Sequence, residues 1–171
     1  MNKFLPKNKK GVTLIELIFS LALFSIAILV VLTLLSMGIT GQRKVLALQN
    51  VQENARFVLE FMAKELRMSV IMSNPNSSEI QIRRPGGNII EYTFNAGNIE
   101  RMNLTLNQGG VINSSSVIIS GGFYVSGIGN TDGLQPRVTI SISVQGKGTK
   151  IEQQASIDLQ TTLSQRTLDV P

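Results

Sequence analysis

The sequence contains no cysteine, no histidine and no tryptophan. Disulfide staples, thiol catalysis, zinc fingers and any histidine-based triad or metal site are thereby excluded, while the redox compartment stays undecided. Acidic residues are missing from the first 15 positions, and no charge of either sign falls between Leu17 and Gln42. What the chain does have is a long apolar run, a basic start and one lone carboxylate, Glu16, where the two meet.

At 171 residues the chain holds one modest domain besides that run. Its formal charge of +5 would fit a binder of nucleic acid or anionic surfaces if it were spread over a face. It is not spread. Lys3, Lys7, Lys9 and Lys10 all precede Gly11, and residues 12–171 carry only +1.

The window 17–36 holds 14 Leu, Ile, Val or Phe residues. At about −0.3 to −0.6 kcal/mol each, these favour insertion by about 4 to 8 kcal/mol. About 20 such residues cross about 30 Å of hydrocarbon, so the run is long enough to span a membrane. A cleaved secretory signal fits poorly, because the run exceeds the usual h-region and "LLSMGITGQ" supplies no A-x-A site. A plain signal anchor accounts for the topology, with lysines inside and residues 43–171 outside, yet gives Glu16 no purpose. A charged carboxylate in apolar surroundings costs several kcal/mol unless partnered. A cut between Gly11 and Val12 would create an α-amino group four residues before Glu16, on the same helix face. Between neighbouring chains, such an amine and carboxylate would set the register of packed helices.

The basic leader, Gly11 and the following "VTLIEL" resemble the prepilin-type leader of type IV pilins and type II secretion pseudopilins. The resemblance implies cleavage by a membrane prepilin peptidase after Gly11, N-methylation of Val12 as the new terminus, and an assembly role for Glu16. Family members most often have Phe or Met where this chain has Val12. The glycine lets the backbone approach a catalytic surface closely. Thr33 stands where many major pilins have a proline in the buried helix.

Residues 43–72 continue helical periodicity, with Val51, Ala55, Val58, Met62 and Leu66 forming a stripe widened by Leu59 and Ala63. Glu60 and Lys64 are spaced for an i,i+4 pair. "SNPNSS" at 73–78 is expected to end the helix, since Pro75 lacks an N–H and disfavours helical geometry before it. One helix over 12–72 would then measure roughly 90 Å, interrupted only by Gly38 and Gly41, each costing about 1 kcal/mol against alanine. "QENARFVLEFMAKELRMS" also resembles the W-type minor pilins and J-type minor pseudopilins.

Beyond Asn76 the period changes. "EIQIRR", "NIIEYTFN", "NIERMNLTL", "SVIIS", "RVTISISVQ" and "IEQQASIDLQTTL" read as half-buried strands separated by "RPGGN", "NAGN", "NQGG", "SGIGNTDGLQP" and "GKGTK" turns. A hairpin is expected over "NAGN", with Gly97 at positive φ. Val138, Ile140, Ile142 and Val144 should face the helix. The fold class is α+β: a leader at 1–11, a long helix at 12–72 spanning the membrane over about 14–37, and a β-rich extracytoplasmic domain at 73–171, its antiparallel sheet packed on the helix as in the pilin-like fold.

Other motifs have ordinary explanations. "GIGNTDG" at 127–133 lacks the Lys-Ser/Thr of a phosphate loop and offers calcium only Asp132, so it reads as a surface loop. Arg83 and Arg84 lie near Glu79 and Glu91 without interleaved aromatics and read as a solvated face rather than a nucleic-acid contact. "NSS" and "NLT" match glycosylation sequons by composition. Acids are scattered, so no catalytic constellation, metal site or cofactor site is expected.

The function implied by the resemblance is a minor pilin acting in filament initiation or at the tip, with a J-type minor pseudopilin of type II secretion or DNA uptake as the alternative. Implied partners are the prepilin peptidase, other minor pilins or pseudopilins through the N-terminal helix, and the cytoplasmic membrane before assembly. A membrane-tethered extracytoplasmic binding module is the reading from another class; it predicts an uncut N-terminus.

Overall fold

The computed structural model describes residues 11–128, 135–150 and 154–166. The chain divides into two compact units, the first ending at Gly41 and the second beginning at Gln42. Helix α1, Leu14–Arg67, contributes to both.

In the first unit the helix begins at a cap. Thr13 Oγ1 accepts the Glu16 N–H at 3.3 Å, and Thr13 O accepts the Leu17 N–H at 3.1 Å. From Gly11 to Gly41 every residue is exposed. That separates this segment from the core helix of a soluble protein, which passes the same length and composition test but is buried. Such a surface is stable only against lipid or other apolar helices. Its hydroxyls are already satisfied: Ser20 donates to Glu16 O, Ser25 to Leu21 O, Thr33 to Leu29 O and Thr40 to Ser36 O, at 2.7–3.0 Å. Back-bonding of this kind removes the penalty of placing a hydroxyl in hydrocarbon. Helical structure continues through Thr33, Gly38 and Gly41.

The second unit is built on the other half of α1. Val51, Ala55, Val58, Met62 and Leu66 are all buried, as their spacing predicts. Leu59 and Ala63 pack partly against the same core. The expected Glu60–Lys64 pair does not form; Glu60 turns back to Arg56 at 3.7 Å, with both side chains largely exposed. An open pair of this kind contributes at most a few tenths of a kcal/mol, about 0.3–0.5.

The helix ends five residues earlier than Met72. Ser69 Oγ donates to Glu65 O at 2.7 Å, Ser69 N–H to Leu66 O at 3.3 Å, and Arg166 N–H to Arg67 O at 2.8 Å. These bonds satisfy carbonyls that a helix end leaves open. Val70 and Ile71, β-branched, then enter strand β1, Val70–Asn76. Pro75 therefore sits in a strand instead of breaking a helix. It is tolerated because β1 is an edge of its sheet and irregular in register beyond Ile71.

Two antiparallel sheets replace the single sheet expected. The first has five strands in sequence order: β1, β2 (Glu79–Arg83), β3 (Ile89–Asn95), β4 (Asn98–Asn103) and β5 (Gln108–Val111). The second orders β6 (Val117–Ser126), β7 (Arg137–Gly146) and β8 (Ser156–Ser164). Val138, Ile140, Ile142 and Val144 on β7 are buried and join the core that contains the helix stripe. Phe94 and Phe123 close the two sheets together, ring centroids 4.9 Å apart. Backbone bonds from Phe123 N–H to Ser77 O and from Ile119 N–H to Gly97 O tie β6 to the turns of the first sheet.

The β3–β4 hairpin turns on Ala96 and Gly97, both at positive φ (47° and 78°), as a type I′ turn requires. Left-handed geometry strains alanine but suits asparagine. Ala96→Asn is expected to raise stability by about 0.5–1 kcal/mol, read as a higher urea midpoint; a lower midpoint would contradict this account of the turn.

Candidate functional site

Gly11 and Val12 precede the helix and are exposed; Glu16 lies in its first turn, also exposed. A Cβ built on Gly11 would meet nothing within 4 Å, and its φ is not in the left-handed region. Nothing among the described residues thus requires glycine there. The Glu16 carboxylate has no hydrogen bond or ion pair with any described residue.

Thr13 and Glu16 have the Thr-x-x-Glu spacing of a capping box, and the Thr13 half of the box is formed. That spacing was legible in the sequence and gives Glu16 a local, structural part beside any intermolecular one. A capping box accepts glutamine as readily as glutamate, which separates the two parts experimentally.

Residues 6–32 match the family model described as the prokaryotic N-terminal methylation motif. The chain carries the type IV pilin and pseudopilin signature. The motif implies processing by prepilin peptidase and assembly with other pilins, and the exposed apolar helix fits a membrane-anchored pilin. The match ends at Leu32, so the sheet-bearing unit lies outside it. No match emerged among curated proteins or among solved structures.

Sequence reasoning missed the polar cluster of the second unit. Glu65 lies on α1 next to Leu66 of the buried stripe and reaches strands of the first sheet; that position beside the stripe was the available signal. Arg101 on β4 donates through Nε to Glu65 Oε2 and through Nη2 to Glu65 Oε1, both at 2.8 Å. The buried Tyr92 hydroxyl on β3 donates to Oε2, and Arg84 Nε stands 3.3 Å from Oε1. Arg83 and Arg84 are both exposed, as expected of a solvated face, and Arg84 in addition pairs with Glu65. Burial alone would raise the Glu65 pKa, but the Arg101 hydrogen bonds, the Tyr92 hydroxyl and the charges of Arg101 and Arg84 outweigh it and hold the carboxyl below its ordinary value. Burial and the adjacent carboxylate push the Tyr92 phenol strongly up.

The remaining sequence candidates resolve as structure. Asn103 and Asn113, in "NLT" and one "NSS", are buried: Asn103 Oδ1 accepts the Thr105 and Leu106 N–H groups, and Asn113 Oδ1 accepts that of Ile99. Asp132 and most of "GIGNTDG" lie outside the described residues. In the Asn-Ala-Arg-Phe segment, Asn54 Oδ1 accepts the Ser114 N–H and Ala55 is buried, while Phe57 points outward.

Proposed function

We propose that the chain is a minor pilin of a type IV pilus, acting in filament initiation or at the tip. The lysine leader keeps the N-terminus in the cytoplasm by the positive-inside rule, with the sheet unit on the far side of the membrane. Prepilin peptidase cuts between Gly11 and Val12, Val12 is methylated, and the helix waits in the bilayer. Assembly then moves it among like helices, where the Val12 amine of one subunit meets the Glu16 carboxylate of the next. Helix association within lipid gains no hydrophobic driving force, so this polar pairing supplies specificity.

The observation that carries the reading is an apolar helical segment, exposed up to Gly41, whose first turn presents a carboxylate with no partner among the described residues, under a matching methylation motif. Support for a minor subunit comes from the resemblance of residues 52–69 to W-type minor pilins. J-type pseudopilins share that resemblance and are the second reading.

The test is the intact mass of the membrane-extracted protein. Loss of residues 1–11 with a methyl increment on Val12 is expected, together with a full-length Gly11→Leu variant. A mature protein that keeps its leader in a host with an active prepilin peptidase would favour a tethered binding module.

A further inference from the structure

Beside its sheet-facing stripe, the second half of α1 carries an outward apolar face. Phe57, Phe61 and Met68 occupy it, 56%, 39% and 49% exposed, and the two phenyl rings lie 6.0 Å apart. Between this face and the first sheet opens a groove of about 620 Å³ lined by Phe61, Lys64, Met68, Arg84, Pro85 and Arg101. Glu65 at its base is the one acid among the lining residues, and both its oxygens are engaged.

The cations outnumber that carboxylate. Lys64 has no hydrogen-bond or ion-pair partner among the described residues, because its expected partner, Glu60, pairs with Arg56. Arg84 approaches Glu65 with Nε 3.3 Å from Oε1, and its side chain stays 48% exposed, open to a further anion. The turn after β2 presents Arg84: its N–H donates to Asn88 O at 2.9 Å, and Gly86 and Gly87, at φ 104° and 88°, close a loop that residues with side chains adopt poorly. The groove thus combines surplus positive charge with an apolar wall.

Nucleic acid calls for a stripe of cations along a phosphate track and has no need of the wall. A carboxylate flanked by an apolar side chain uses both, and a guanidinium edge matches a carboxylate in shape as well as charge. We propose that this groove docks an acidic segment of a partner protein, its carboxylate held by Lys64 and Arg84 while a neighbouring apolar side chain packs on Phe61 and Met68. This holds whether or not residues 1–11 are removed; the intact mass reads that question separately.

The test is an NMR titration of the full chain in detergent micelles with acetyl-Phe-Glu-Leu-amide. Saturable shifts are expected at Phe61, Lys64 and Arg84. The glutamine counterpart of the peptide should bind about tenfold more weakly, as should the Glu peptide to a K64Q/R84Q double variant. The Glu65, Tyr92 and Arg101 side chains and the hydrogen bonds among them are kept in that variant, and a cooperative urea transition with native amide shifts outside the groove verifies its fold; a second variant, Phe61→Ser, should weaken binding without altering the Glu-over-Gln preference. Absence of saturable shifts, equal affinity for the Glu and Gln peptides, or an oligothymidylate or inorganic phosphate that binds as tightly as the Glu peptide would overturn the proposal.

Discussion

Glu16→Gln is expected to leave cleavage intact and to lower incorporation into filaments by about tenfold or more, an effect equivalent to about 1.4 kcal/mol or beyond. Glutamine keeps the size of the side chain and its ability to complete the capping box with Thr13, so the helix start should be preserved. What it removes is charge. A carboxylate carried into an apolar bundle without a partner costs several kcal/mol, and one that meets an amine recovers that cost with directionality. If Glu16 serves only as a cap, the glutamine variant assembles normally and an alanine variant shows a defect limited to helix fraying. The measurement is the ratio of sheared-filament to membrane-bound subunit for wild type, Glu16→Gln and Glu16→Ala. Normal incorporation of the glutamine variant would sink the amine-carboxylate pairing while sparing the cap.

Much of this architecture is readable from short-range pattern. The Val51–Leu66 stripe follows the helical period, β7 follows strict alternation, and "NAGN" states its own turn. Readability fails where the deciding partner is remote. The helix stops at Arg67 partly because Arg166, 99 residues later, donates to its carbonyl, and no local signal near Ser69 announces that bond. Strand β5 reads locally as a turn because "NQGG" has turn chemistry; its ladder with Glu100–Asn103 decides otherwise. The division into two sheets is likewise a matter of pairing between distant strands. At the N-terminus the situation reverses. Gly11, Val12 and Glu16 stand out in the sequence because the isolated fold gives them so little to do.

Glu65→Gln should destabilise the second unit by about 2–4 kcal/mol, the range expected when one member of a largely buried ion pair is neutralised. The side chains of Glu65 and Arg101 are only 12% and 21% exposed, so water screens them little. The variant leaves the two guanidinium groups facing a neutral amide, and the buried Tyr92 hydroxyl keeps an acceptor in the amide oxygen. With a urea slope of about 2 kcal/mol per molar, the midpoint should fall by about 1–2 M. The pH dependence gives an independent reading. Because the folded carboxyl sits below its unfolded value of about 4.3, its contribution is present above that pH and is lost as pH falls through the lower folded value. Wild type should therefore lose stability as pH falls from about 5 to about 3, a window set about the unfolded pKa, more steeply than Glu65→Gln. Urea midpoints for both proteins across that interval decide the matter: parallel profiles would mean that the clamp between helix and sheet rests on packing of Tyr92 and not on the Glu65 charge.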